Sequence, residues 1–251
     1  MMQVELQKAE FWKRMAAGFL DAILLLVFSV GIFALLSDWM NMDDYANAVN
    51  DARIRYEEQY NVSLLIQDKE TYDALSDAEK ENYNLARKAL LNDEEASYAQ
   101  QMSVNVMLIS VAGGVLAAML ILEFGVPLLF GNGQTLGKKA FAHCVVRVDG
   151  VKVTPLQMFV RTVLGKYAVE TMILIYLTIY LGIGSSIWAI LIFAAIESIL
   201  MLVTKGNSTV HDLMAGTIVV DYNSQKIFAS VEERIAYQKE IAAEQASKQP
   251  Y

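Results

Sequence analysis

A single cysteine, two histidines and a minority of basic residues narrow the chemistry of this chain before any motif is read. With Cys144 alone, no intrachain disulfide can form. His143, Cys144 and His211 are too few and too scattered for a zinc site, so neither a metal nor a cofactor is expected. The net charge of −8 offers nucleic acid no electrostatic footprint. No G-x-S-x-G elbow occurs, and Ser208, Thr209, His211 and Asp212 stand too close along the chain to make a hydrolase triad by themselves. No catalytic residue is assigned, and the chain is not expected to be an enzyme. The glycine-rich stretch 131–139 also fails as a phosphate loop. Asn132 stands where the first glycine belongs, and Lys139 where a magnesium-binding hydroxyl belongs.

What the chain has instead is apolar length. Apolar residues make up 55% of it, and they gather in runs at 15–36, 104–130 and 167–203. A helix needs about 20 mostly apolar residues to cross a bilayer. The last run is too long for one crossing and is interrupted at Gly182, Gly184, Ser185 and Ser186, so it reads as a hairpin of two spans. The fold class is therefore an all-α membrane protein with four transmembrane helices, an extracytoplasmic helical insert, and a small cytoplasmic β-hairpin or three-stranded sheet. The segments are 1–37 (N-terminus and first span), 38–103 (acidic insert), 104–130 (second span), 131–166 (basic loop), 167–204 (membrane hairpin) and 205–251 (C-terminal segment and charged helical tail). The first run is too long for a cleavable signal and no small-residue cleavage pattern follows it.

Charge sets the orientation. Residues 38–101 hold fifteen acidic against six basic side chains, whereas 131–166 hold six basic ones and only Asp149 as an acid. Basic short loops stay on the cytoplasmic side. This places the 131–166 loop and both termini inside, and predicts a multi-pass protein of the cell (plasma) membrane whose first partner is the lipid bilayer. Lys138 and Lys139 are read as contacts to lipid phosphates.

Local signals fill in the connections. Ser76-Asp77-Ala78-Glu79 has capping-box spacing and predicts a helix start in the insert, and 93–99 is expected to run directly into the second span. Asp149-Gly150 between Val145–Val148 and Val151–Thr154 predicts a hairpin, with Ile218-Val219-Val220 as a third strand. Gly113/Ala117 and Gly114/Ala118 repeat the small-residue spacing that lets helices approach closely, within this chain or across a homo-oligomer.

Taken together, Phe11-Trp12-Lys13-Arg14 entering a helix with Asp21, Gly133-Gln134-Thr135-Leu136-Gly137-Lys138, Val145 to Gly150, Arg161, and His211-Asp212-Leu213-Met214-Ala215-Gly216-Thr217 resemble the RDD family. The resemblance covers most of the chain except the acidic insert. It implies a small multispanning protein, mainly bacterial, and puts the name-giving arginine and two aspartates at Arg14, Asp21 and Asp212. The family's biochemical role is largely unassigned, so the resemblance implies a fold more readily than an activity.

Asp21, Glu123 and Glu197 lie seven or eight residues from the proposed inner boundary. At a rise of about 1.5 Å per residue they fall about 10–12 Å deep, at nearly one level. Acids in a membrane face a partner or a wet cavity, and three at one depth would attract a proton or small monovalent cation. Arg14, seven residues before Asp21, is their charge partner, either tuning the site or forming a structural pair with Asp21. Glu170 is placed shallower, reaching toward headgroups. Glu123 precedes Pro127 by four, where the missing amide frees a carbonyl that a kink must satisfy. Asp212 and His211 are assigned to docking with Arg161 or Arg147 at the inner surface. Two functions follow: a transporter or exchanger using Asp21, Glu123 and Glu197, or a non-enzymatic scaffold or accessory subunit that recruits a membrane protein partner.

Overall fold

The computed structural model describes residues 6–66 and 68–248. The first five residues of the N-terminal segment and the last three of the tail lie outside them. Among the described residues, four helical runs are long and apolar enough to cross a membrane, Phe11–Trp39, Glu94–Phe130, Pro155–Gly182 and Ser186–Val203. Their outward faces are apolar. On α1 (Phe11–Trp39), Phe19, Ile23, Leu26 and Val30 are exposed, while the buried positions Arg14, Ala17 and Asp21 share one helix face at spacings of three and four. The hydrophobic pattern of a water-soluble helix is thereby reversed, as lipid requires.

The chain divides into two compact units, Val30–Gly114 and the rest. In the first, α2 (Met42–Tyr60), α3 (Lys69–Asp73) and α4 (Asp77–Asn92) make up the insert. The expected capping box forms: the Ser76 amide donates to Glu79 Oε2 at 2.8 Å, and the Glu79 amide donates to Ser76 Oγ at 3.3 Å. Asp93 caps the next helix, accepting from the Ala96 amide at 3.0 Å. From there α5 (Glu94–Met119) runs without a break into the second span, as predicted. The buried side chains of the insert are alanines, Ala52 and Ala86 among them, so α2 and α4 pack by close backbone approach around very little side-chain volume. On α5, a methyl group at Gly113 would stand 3.3 Å from Leu36, which identifies the small-residue spacing there with packing inside the chain.

In the second unit, the span begun by α5 continues through a π-helical turn, Leu120–Gly125, into α6 (Val126–Phe130). The carbonyl of Glu123, four residues before Pro127, accepts from Thr162 Oγ1 at 3.1 Å. The kink is therefore satisfied by a neighbouring span. A short helix α7 (Leu136–Ala140) precedes β1 (His143–Arg147); α8 (Pro155–Phe159) then leads into a second π segment, Val160–Thr171, and α9 (Met172–Val203). Gly182 breaks this last helix with φ of 76°, dividing the third span from the fourth at the expected place. A helix α10 (Val210–Ala215), β2 (Thr217–Asp221) and the tail helix α11 (Val231–Lys248) complete the chain.

The small sheet is present, with a different pairing from the expected hairpin. β1 pairs antiparallel with β2, from His143 opposite Asp221 to Arg147 opposite Thr217. The Asp149-Gly150 turn does form, with Gly150 N donating to the Arg147 carbonyl at 2.8 Å, but only Val146 and Lys152 bridge across it. The reason is local. Thr154 is taken as the N-cap of α8, in a capping box with Gln157, and Pro155 fills the first helical position, so the return strand ends after two residues. The sheet core is Cys144, Val146, Ile218 and Val220 on one face, and Val145 and Val219 with Ala9 on the other.

Candidate functional site

Two charged clusters are buried where the ends of the spans meet the 131–154 loop and α10. The first centres on Asp212. Its carboxylate receives the guanidinium groups of Arg14 and Arg161, and Thr209 adds its amide at 3.2 Å and its hydroxyl at 2.8 Å. Arg14 also donates to the Asn207 carbonyl. Asp212 is thus both the capping-box carboxylate of α10 and the acceptor of two arginines from different spans. Burial alone would push its carboxyl up, but Arg161 and Arg14 hold it well below the usual carboxylate range. Of the two arginines considered for Asp212, Arg161 is the partner; Arg147 pairs with its own turn residue Asp149 at 2.9 Å.

His211 extends this cluster toward two acids. The Arg161 guanidinium lies 3.1 Å from His211 Nε2, and since a guanidinium can only donate, Nε2 accepts. Nδ1 then carries the proton and donates to Glu170 Oε1 at 2.8 Å, while the His211 amide donates to the same oxygen at 3.1 Å. Burial, followed by the Arg161 charge, pushes the imidazole down to about 4. Glu197, from the fourth span, accepts weakly from the Val210 amide at 3.3 Å. Ligand atoms of Glu170, Glu197 and His211 all lie within 4.8 Å of one another.

The second cluster centres on Asp21. Thr135 Oγ1 donates to one carboxylate oxygen at 2.5 Å and the Gly137 amide to the other at 2.7 Å, with Lys138 Nζ at 3.4 Å. Asp21 therefore receives the start of α7, whose own N-cap is Thr135. The approach is close enough that only glycine fits at 137: a methyl group there would stand 2.3 Å from the Ala17 carbonyl. Glu123 accepts from Lys166 Nζ at 2.6 Å. Burial pushes Lys138 down to about 8, with Glu123 and Asp21 opposing that shift and Lys166 and Arg161 adding to it.

Several expectations are corrected here. Asp21, Glu123 and Glu197 do not converge: Asp21 and Glu123 flank Lys138 with donors of their own, while Glu197 belongs with Glu170 and His211. Arg14 does not pair with Asp21, although both lie on one helix face; each faces a different loop of the chain. Glu170 does not reach for headgroups, since it holds His211. Lys138 is buried against Asp21 and so is withdrawn from lipid, whereas exposed Lys139 lies 3.9 Å over the Phe130 ring. Depth along a helix gave no azimuth, and the partners come from loops whose path the sequence does not specify. Lys166, Thr135 and Thr209 were missed as site residues. The signal for two of them was present: each threonine stands three residues before Lys138 or Asp212, at N-cap spacing.

A membrane protein of four candidate spans whose charges are buried in interhelical clusters is the class this geometry defines. The RDD family profile matches residues 8–216, and the chain belongs to the RDD family. No curated protein and no solved structure matches it. The three residues to which the resemblance assigns the family's name divide between the clusters: Arg14 and Asp212 meet in one and Asp21 anchors the other.

Proposed function

We propose that this RDD-family protein is a non-enzymatic carrier or exchanger that handles protons or small monovalent cations from the cytoplasmic side of the plasma membrane. The observation that carries the reading is the meeting of Glu170, Glu197 and His211 within 4.8 Å. Two carboxylates from different spans repel each other at this range, and a positive species between them relieves the repulsion. The one lone pair of the imidazole faces Arg161 and its N–H faces Glu170, so the carboxylate oxygens are left to bind. Hard oxygen donors suit a proton or an alkali cation better than a soft metal. The loop 131–154, with Lys138, Lys139, Arg147 and Lys152 against Asp149 alone, supports the inward orientation of both termini.

Reconstituted protein tests this. Glu197→Gln and Glu170→Gln are expected to abolish ion-dependent pH change in proteoliposomes while leaving insertion intact. Asp21→Asn is expected to act first on stability, because Asp21 is held by two short hydrogen bonds from the 135–138 loop. Unchanged flux in both glutamate variants would reject the carrier.

One observation favours a scaffold or accessory role instead. Glu170 and Glu197 accept from the amides of His211 and Val210, the free first-turn amides of α10, and so also serve as helix caps. On this reading the charges fix packing and the acidic insert recruits a partner. A stoichiometric partner recovered with the protein, together with wild-type flux no greater than in empty vesicles, would select it.

A further inference from the structure

Among the buried charges of the second cluster, Lys138 is the least firmly held. Asp21 already takes the Thr135 hydroxyl at 2.5 Å and the Gly137 amide at 2.7 Å, and Glu123 takes Lys166 at 2.6 Å. What remains for the Lys138 ammonium is Thr135 Oγ1 at 3.1 Å and Asp21 at 3.4 Å. An ammonium removed from water needs close charged acceptors to offset its lost hydration, and this one has a neutral hydroxyl at ordinary distance and a carboxylate only at 3.4 Å. The charged groups facing it are Asp21 from α1, Glu123 from the Leu120–Gly125 turn, and Lys166 and Arg161 from the Val160–Thr171 segment. The carboxylates have better donors, and the two cations oppose a third.

We infer that Lys138 is a proton-binding site, its amine alternating between ammonium and free base while the loop that carries it stays docked on α1. In the step, one Nζ–H bond breaks, the proton passes to water, and nitrogen keeps the electron pair. The group formed by Asp21, Glu123, Lys138 and Lys166 then goes from balanced charge to one net negative charge. Docking survives because the bonds from Thr135 and Gly137 to Asp21 do not involve Nζ. The downward push on Lys138 to about 8 agrees with this geometry. Arg161 bears electrostatically on both Lys138 and His211, so the two clusters sense each other's charge. Use of the site in a transport cycle rests on the proposed carrier function; the site itself does not.

The test is amine acylation of the full chain in lipid nanodiscs across pH, with the Lys138 peptide quantified by mass spectrometry and a model lysine titrated alongside. Lys138 is expected to gain reactivity with a midpoint of about 8 against the ordinary 10.5. Lys166→Met should raise that midpoint by removing an opposing cation, and Asp21→Asn should lower it by removing an anion; a purely structural lysine would show neither shift. A midpoint equal to that of the model lysine, or no acylation even in strong base, overturns the inference. No ion gradient enters this measurement, so it fails or succeeds separately from the flux assays of Glu170 and Glu197.

Discussion

Arg14 and Asp212, 198 residues apart in the chain, are joined by a buried ion pair between the start of α1 and the start of α10. Arg161 completes it from the third span, so one carboxylate ties three parts of the fold together. Removing one member of such a pair leaves a buried charge alone, at a cost of about 3–5 kcal/mol. Arg14→Ala and Asp212→Ala are each expected to destabilise strongly, and the double variant to fall short of their sum by a coupling on the order of 1–3 kcal/mol in detergent unfolding. The same cycle run on Arg14 and Asp21 should show little coupling. Equal coupling in both cycles would contradict the pairing.

Gly137 and Gly18 provide a matched comparison. A methyl group at Gly137 would meet the Ala17 carbonyl at 2.3 Å and the Asp21 carboxylate carbon at 2.8 Å, whereas at Gly18 nothing lies within 4 Å. Gly137→Ala is expected to cost about 1–3 kcal/mol or more by forcing α7 off α1. Gly18→Ala, on an open helix face, should stabilise slightly, by about 0.5–1 kcal/mol. Thermal melts of the two variants in one detergent check the contrast.

His211 gives stability a pH dependence of definite sign. Its imidazole stays neutral down to about 4, against an ordinary value of 6.5, because burial and Arg161 disfavour the charged form. Between those values the unfolded chain binds a proton that the folded chain refuses, so stability falls as pH falls. The contribution is fully present above 6.5 and lost as pH drops through about 4. Unfolding midpoints measured across this window should decline less steeply in His211→Gln than in the native chain.

The lone thiol reports on the small sheet. Cys144 is buried on β1, opposite Val220 of β2, and burial pushes its thiol up to about 12. Since the thiolate is the reactive form, a maleimide is expected to label native protein slowly and unfolded protein at least tenfold faster at the same pH. Rapid labelling of native protein would show that the β1–β2 ladder opens readily.

Much of the architecture was legible along the chain. The Ser76–Glu79 box, the run of α5 into the second span and the break at Gly182 depend on residues within a few positions of one another, and all three occur where the spacing placed them. The hairpin was half legible. Its turn formed, but Thr154 and Pro155 carried a competing helix-start signal that ended the return strand, and β2 took the ladder. Glu123 and Pro127 predicted a freed carbonyl without saying that Thr162 would satisfy it.

The sequence by itself determined that three apolar runs exist, the last interrupted so as to make two spans, that acids and bases are segregated between loops, and that the chain resembles the RDD family, because each of these is read along one dimension. Only the tertiary structure decided which acid meets which base. Those partners stand 41 to 198 residues apart, and a helix's length sets the depth of a charge while its rotation and the path of distant loops set the neighbour. For that reason Asp21 faces a glycine amide instead of an arginine on its own helix, and Glu197 faces Glu170 and His211 instead of the other two acids.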